Sequence, residues 1–230
     1  MTYVIGLLTD NYSYYICVQN SNKHPLKTVY SALFSMMIYG ALLLLLAHMI
    51  YLDSHNFTDT KLYGENSYTE WAQVIVLALV VLLMSMAAKI QPALRIISIL
   101  VGGFFLMAFI REFDSRLDMI FDGLWQLLAF SVLGMVGISI YKNKSDLKRP
   151  LTTFVNSAPF GMIASGTLIT FTFSRLYGEA RTWESIMGDS YMRAVKNISE
   201  ESIELLGYSL VLFGTIEWIK FLLAKQRTNS

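Results

Sequence analysis

Six long apolar blocks, separated by short polar segments, constrain this chain more than any other feature. A helix crosses a ~30 Å hydrocarbon core with ~20 residues. The blocks run about Thr28–Tyr51, Tyr68–Ala88, Pro92–Ile110, Leu124–Tyr141, Leu151–Ser174 and Ser202–Ala224. Each is long enough to span. Pro92 and Pro150 open two of them, at first-turn positions where the missing N–H costs nothing. Only 15% of the 230 residues are charged and mean hydropathy is +0.48. Soluble domains carry about a quarter charged residues. The predicted fold is therefore all-α: a polytopic transmembrane helical bundle of about six spans. Its parts are an N-terminal cytoplasmic segment (1–27), a six-helix domain (28–225) and a short cytoplasmic tail (226–230).

Basic residues set the predicted orientation, because cytoplasmic loops are enriched in Lys and Arg. The segments ending or starting at Lys27, Lys89, Lys142 and Lys220 hold 11 of them, and the alternate loops hold 7. This places both termini in the cytoplasm. The first apolar run, Tyr3–Leu8, is too short for a signal-peptide core, so none is expected. The net charge of +1 suggests no nucleic-acid partner. A lone Cys17 excludes an intrachain disulfide, and His24, His48 and His55 are too scattered for a zinc site. Helical spacing of Trp183, Met187, Tyr191, Ala194, Val195 and Ile198 predicts an amphipathic interfacial helix before the last span.

The acidic residues fall almost entirely on the predicted exoplasmic side, in three groups. The first follows the third span directly: Arg111-Glu112-Phe113-Asp114-Ser115-Arg116-Leu117-Asp118. If that helix continues, Asp114, Asp118 and Asp122 stack at i,i+4 steps, where like charges repel. Such a stack calls for Arg111, Arg175 or a cation among them. Glu112 and Arg116 form an i,i+4 pair in the favourable order. The ordinary account is a solvated interfacial helix. The second group is Glu65 and Glu70. Ser67-Tyr68-Thr69-Glu70 is a capping-box pattern, which accounts for Glu70. The third is Glu200, Glu201 and Glu204. Ser199 as N-cap with two acids in a first turn accounts for Glu200 and Glu201. Glu204 lies about a turn deeper, beside Leu205 and Leu206. An acid in a span costs about 2.5–3.5 kcal/mol to insert and marks a functional candidate. It shares a helix face with Glu200, Glu201 and Tyr208. Glu217 with Lys220 at i+3 reads as a structural pair.

Candidate catalytic residues are thus Glu204, Asp114, Glu112, Arg111 and Arg175. Candidate metal ligands are Glu65, Glu70, Asp114, Asp118, Glu201 and Glu204, which as oxygen donors would suit a hard divalent cation. Small residues at Ser157, Gly161, Ser165 and Gly166, at Gly102-Gly103 and at Gly134/Gly137 are expected at close helix contacts, with Pro159 as a kink. Asn56-Phe57-Thr58 and Asn197-Ile198-Ser199 match a glycosylation acceptor, a motif common by chance.

The C-terminal half, from Arg111-Glu112-Phe113-Asp114 through Ser174-Arg175-Leu176-Tyr177-Gly178 to Glu200-Glu201-Ser202-Ile203-Glu204-Leu205-Leu206-Gly207-Tyr208, resembles a group of uncharacterised bacterial multi-pass inner-membrane proteins. The resemblance implies a bacterial cytoplasmic-membrane location and no particular activity. Three functions compete on the residues alone. One is an exoplasmic carboxylate/arginine site that binds a divalent cation or lipid head group, with or without membrane-embedded catalysis. The others are a proton- or cation-coupled transporter, and a non-catalytic subunit that docks a partner.

Overall fold

The computed structural model describes residues 25–55 and 67–229, and all regular structure among them is helical. The elements are α1 (Pro25–His55), α2 (Tyr68–Ile90), α3 (Arg95–Arg111), the short α4 (Asp114–Asp118) and α5 (Leu124–Lys142). They continue with α6 (Lys148–Val155), α7 (Ala158–Leu168), a π-helical turn (Ile169–Phe173), α8 (Ser174–Tyr177), α9 (Ala180–Met187) and α10 (Arg193–Asn229). Among the described residues five stretches are long and apolar enough to cross a membrane, Val29–His55, Tyr68–Ile90, Pro92–Arg111, Leu124–Lys142 and Arg193–Arg227, and a bent pair, Lys148–Val155 with Ala158–Tyr177, makes a sixth if it counts as one span. The chain is a multi-pass membrane protein.

The chain divides into two compact units, Met1–Leu45 and Leu46–Ser230, with the boundary inside α1. In the first unit the described part of α1 exposes large apolar side chains, among them Phe34, Met37 and Leu44. Such surface suits a helix that crosses a membrane. In the second unit α10 packs against α2 and α7. Tyr208, Val211, Trp218 and Leu222 are completely buried along it. The Trp218 indole N–H donates to Ser98 Oγ at 3.2 Å, which joins α10 to α3.

The fifth apolar block is broken more sharply than a kink within one helix. Its two arms, Lys148–Val155 and Ala158–Tyr177, are bent by 82° at Asn156-Ser157. Ser157 is extended (ψ 147°), and Pro159 stands in the first turn of α7. If α6 continued, Pro159 would offer no N–H to the Val155 carbonyl and its ring would clash there, so α6 ends at Val155 and a new helix starts with the proline in its first turn. Pro159 therefore starts a new helix where the sequence suggested a kink within one.

The last helix also departs from expectation. It starts at Arg193, not near Ser199, and takes in only Ala194, Val195 and Ile198 of the predicted interfacial segment. Ser199 is an interior residue whose hydroxyl donates to Val195 O at 2.7 Å, so it caps nothing. The amphipathic helix before the last span is α9 alone, with Trp183 Nε1 donating to Tyr177 O at 2.7 Å.

Close helix contacts use only some of the small residues. Gly166 of α7 lies against the Gly207 carbonyl, and Gly214 lies against Ile163. Gly102 faces Met84, and Gly103 faces Val136. A side chain at Gly161, Gly134 or Gly137 would meet nothing within 4 Å, and Ser165 is exposed.

Candidate functional site: a charged cleft at the helix ends

Local chemistry starts and stops the helices that surround the site. Ser67 caps α2, its Oγ accepting from Glu70 N at 3.1 Å. A second cap comes from Asp53 on α1. Its carboxylate accepts from Tyr68 N at 2.9 Å, from Thr69 N at 2.7 Å and from the Thr69 hydroxyl at 2.7 Å. Orphan amides at a helix N-terminus are satisfied in this way. Helix α3 stops at Arg111, and Glu112 and Phe113 turn the chain into α4. The Asp118 carboxylate accepts from Gly123 N at 3.0 Å. Gly123 has φ +81°, a left-handed conformation that suits glycine, and α5 begins after it.

These ends surround a cleft of about 310 Å³. It is lined by Glu70 of α2, by Arg111, Glu112 and Asp114 at the α3–α4 turn, and by Trp125 of α5. Arg175 of α8 and Glu200, Glu201 and Glu204 of α10 complete it. The five candidate catalytic side chains all stand here. Four of the six candidate metal ligands do too: Glu70, Asp114, Glu201 and Glu204. Asp118 is used in the turn, and Glu65 lies outside the described residues. The Asp114–Asp118–Asp122 stack does not form, because α4 ends at Asp118. Only Asp114 of the three faces the cleft, and it also accepts from Ser115 N at 2.6 Å. Arg116 lies over the Trp71 ring at 4.7 Å. No group of three or more His, Cys, Asp or Glu side chains among the described residues is arranged to hold a metal ion.

Inside the cleft the charges are cross-linked. Arg175 bonds Glu200 at 3.0 Å through Nη1 and Glu204 through Nη2. Lys196 reaches the other Glu200 oxygen at 3.0 Å. Ser174 Oγ shares its one proton between Thr170 O, the nearer acceptor, and Glu204 Oε1 at 3.3 Å, and Thr170 Oγ1 donates to Glu204 O at 3.3 Å. Thr170 lies in the π-helical turn, closed by Ser174 N donating to Ile169 O. The extra residue of a π-turn re-aims side chains, and such turns recur at functional sites. Here it sets Thr170 and Ser174 against Glu204. Gln73 is completely buried. Its amide nitrogen donates to Glu201 Oε2 at 2.8 Å and to Glu201 O at 3.1 Å, and its amide oxygen has no partner. The Tyr208 hydroxyl donates to Glu112 Oε1 at 3.1 Å. Burial pushes the Glu112 carboxyl up from 4.5 to about 7, opposed by Arg111 and reinforced by Glu204. Arg111 itself makes no ion pair or side-chain hydrogen bond among the described residues.

Comparison with protein-family models, with curated proteins and with solved structures returned no match.

Sequence reasoning passed over Gln73, Trp125, Lys196, Thr170 and Asp53. Gln73 had a legible signal, a polar amide three residues after Glu70 inside an apolar block. Trp125 and Asp53 had none, because tertiary contact alone gives them their roles.

Proposed function

We propose that this polytopic membrane protein binds the polar head of a membrane lipid in the cleft between α2, α3, α5 and α10. The observation that carries the reading is the company Arg111 keeps. It stands among six carboxyl side chains in one cleft and has no ion pair of its own among the described residues, whereas Arg175 is engaged twice. A cleft that presents acids and an uncommitted guanidinium together matches a zwitterionic group. An amine would face the acids and a phosphate would face Arg111, whose planar fork suits phosphate oxygens. A bare divalent ion fits less well, since no three carboxylates among the described residues are arranged to hold one. Cation-coupled transport would want an acid near mid-span, and Glu112 and Glu204 both stand at the charged end. No reaction is assigned to the cleft.

The excess of basic residues on the opposite segments supports an exoplasmic cleft with both termini in the cytoplasm. The resemblance of the C-terminal half supports a bacterial cytoplasmic membrane. Fusing a reporter active only in the cytoplasm after Ser230 should give signal. A silent fusion there would reverse the orientation.

Calorimetry on the purified full chain tests the binding. Soluble glycerophosphoethanolamine should bind, and Arg111→Met should weaken it about tenfold, equivalent to ~1.4 kcal/mol. Glu217→Gln should change nothing, since Glu217 pairs with Lys220 at 2.8 Å away from the cleft. Binding of Mg²⁺ or Ca²⁺ with no binding of the head group would replace the reading with a metal site.

A further inference from the structure

Trp125 lines two cavities. One is the charged cleft. The other is a groove of about 380 Å³ between α3 and α5, bounded by Met107, Trp125, Gln126, Ala129, Phe130 and Leu133. Apart from Gln126, the groove is walled by apolar side chains. Ala129 and Leu133 follow Trp125 at four-residue steps, so they form one face of α5 leading away from the charged end. From Trp125 to Leu133 this face is ~12 Å long, most of one leaflet of a ~30 Å core. Phe130 and Leu133 are exposed on a membrane-spanning helix, so the groove opens to hydrocarbon.

We propose that cleft and groove together hold one molecule: a phospholipid whose head carries a primary amine. Its ammonium sits among the carboxyl groups, its phosphate at Arg111, and one acyl chain lies along the groove past Trp125. This rests on the head-group reading above and adds the lipid class and the seat of the chain. Carboxylates select a primary ammonium because it brings three N–H donors, whereas a quaternary ammonium brings none and is recognised by aromatic faces. Among the described residues Trp125 is the one aromatic side chain that lines the cleft. The groove is continuous with the bilayer through the exposed face of α5, so an acyl chain is its occupant by access as well as by chemistry.

The test uses the full chain in phosphatidylcholine nanodiscs and a phosphatidylethanolamine probe with a photoreactive group in its acyl chain. Labelling should concentrate on Met107 and on residues 126–133. Unlabelled phosphatidylethanolamine should compete at least tenfold better than phosphatidylcholine or phosphatidylglycerol. Filling the groove with Ala129→Trp should reduce labelling about tenfold and leave the affinity for soluble glycerophosphoethanolamine within about twofold. Leu133→Phe, a smaller change, should act in the same direction if Ala129→Trp does not fold. Equal competition by all three lipids, or labelling unchanged by groove-filling variants that still bind the soluble head group, overturns the lipid proposal and leaves the head-group site standing. Failure of the soluble head group to bind the wild-type chain removes both.

Discussion

The Tyr208 hydroxyl reaches Glu112 Oε1 at 3.1 Å across 96 residues of chain. This bond ties the buried face of α10 to the turn that ends α3, and it fixes the acid whose ionisation is most perturbed outside the spans. Burial is the main cause, with Arg111 and the Tyr208 hydrogen bond opposing it and Glu204 and Glu70 adding to it.

That perturbation predicts a pH-dependent stability. The folded protein holds the Glu112 carboxyl at about 7, above its ordinary 4.5, so folding favours the protonated acid. Its stabilising effect is complete below about pH 4.5 and is lost as pH rises through about 7. Thermal unfolding in detergent should show this part of the stability declining across that window. Glu112→Gln, which keeps an acceptor for Tyr208, should flatten the decline. Tyr208→Phe removes a bond that favours the charged form and should shift the decline to higher pH. A Glu112→Gln profile that overlays the wild type would remove Glu112 as its source.

The Arg175–Glu204 pair predicts an asymmetry. Arg175 is 47% exposed and keeps Glu200 when Glu204 is changed, whereas the Glu204 side chain is 5% exposed. Glu204→Gln should therefore cost only about 1 kcal/mol, the scale of a partly solvated pair. Arg175→Met leaves a buried carboxylate without its nearest cation and should cost about 3 kcal/mol. Equal losses in chemical unfolding would mean that solvent or Arg111 compensates Glu204 fully.

The spans were readable because apolar length is a local property. Tyr68 and Leu124 start helices where the apolar blocks begin, and Ser67 caps α2 as its spacing predicts. Pro159 marked the bend at Asn156-Ser157 as a kink, and only its sharpness was illegible, because hydropathy hardly changes through it. Ser199-Glu200-Glu201 reads as a helix start on local grounds. Those acids instead sit inside α10, where Glu200 pairs with its i,i+4 neighbour Lys196 and the distant partners are Arg175 and Gln73. The convergence of three acidic groups was legible as charge asymmetry. The contacts of Thr170 and Ser174 with Glu204 depend on the π-turn at Ile169–Phe173, for which composition carries no signal.

Asp53 gives a test of long-range capping. It accepts two backbone amides and one hydroxyl from the first turn of α2. Asp53→Ala leaves buried Thr69 with an unsatisfied amide and hydroxyl, and should cost about 2–3 kcal/mol. Ser67→Ala, which loses a single cap bond, should cost about 1 kcal/mol. Hydrogen exchange at the first turn of α2 should rise more in Asp53→Ala than in Ser67→Ala. The reverse order would show that the local cap dominates.

The glycines of α10 separate close contact from mere small size. An added Cβ at Gly207 would meet the Gly166 carbonyl at 2.8 Å and Thr170 N at 2.9 Å, both backbone atoms that cannot rotate away. Gly207→Ala should push α10 off α7 and the π-turn, at a cost of about 1–3 kcal/mol. Because Thr170 and Ser174 hold Glu204, the same substitution should also disturb the cleft and weaken head-group binding. Gly161→Ala and Gly134→Ala add a methyl to open space on helices, so they should be neutral or gain up to about 1 kcal/mol from helix propensity. Detergent melting curves and head-group calorimetry on the three variants give both readouts. A Gly207→Ala protein with wild-type stability and binding would show that α10 and the π-turn are not in backbone contact.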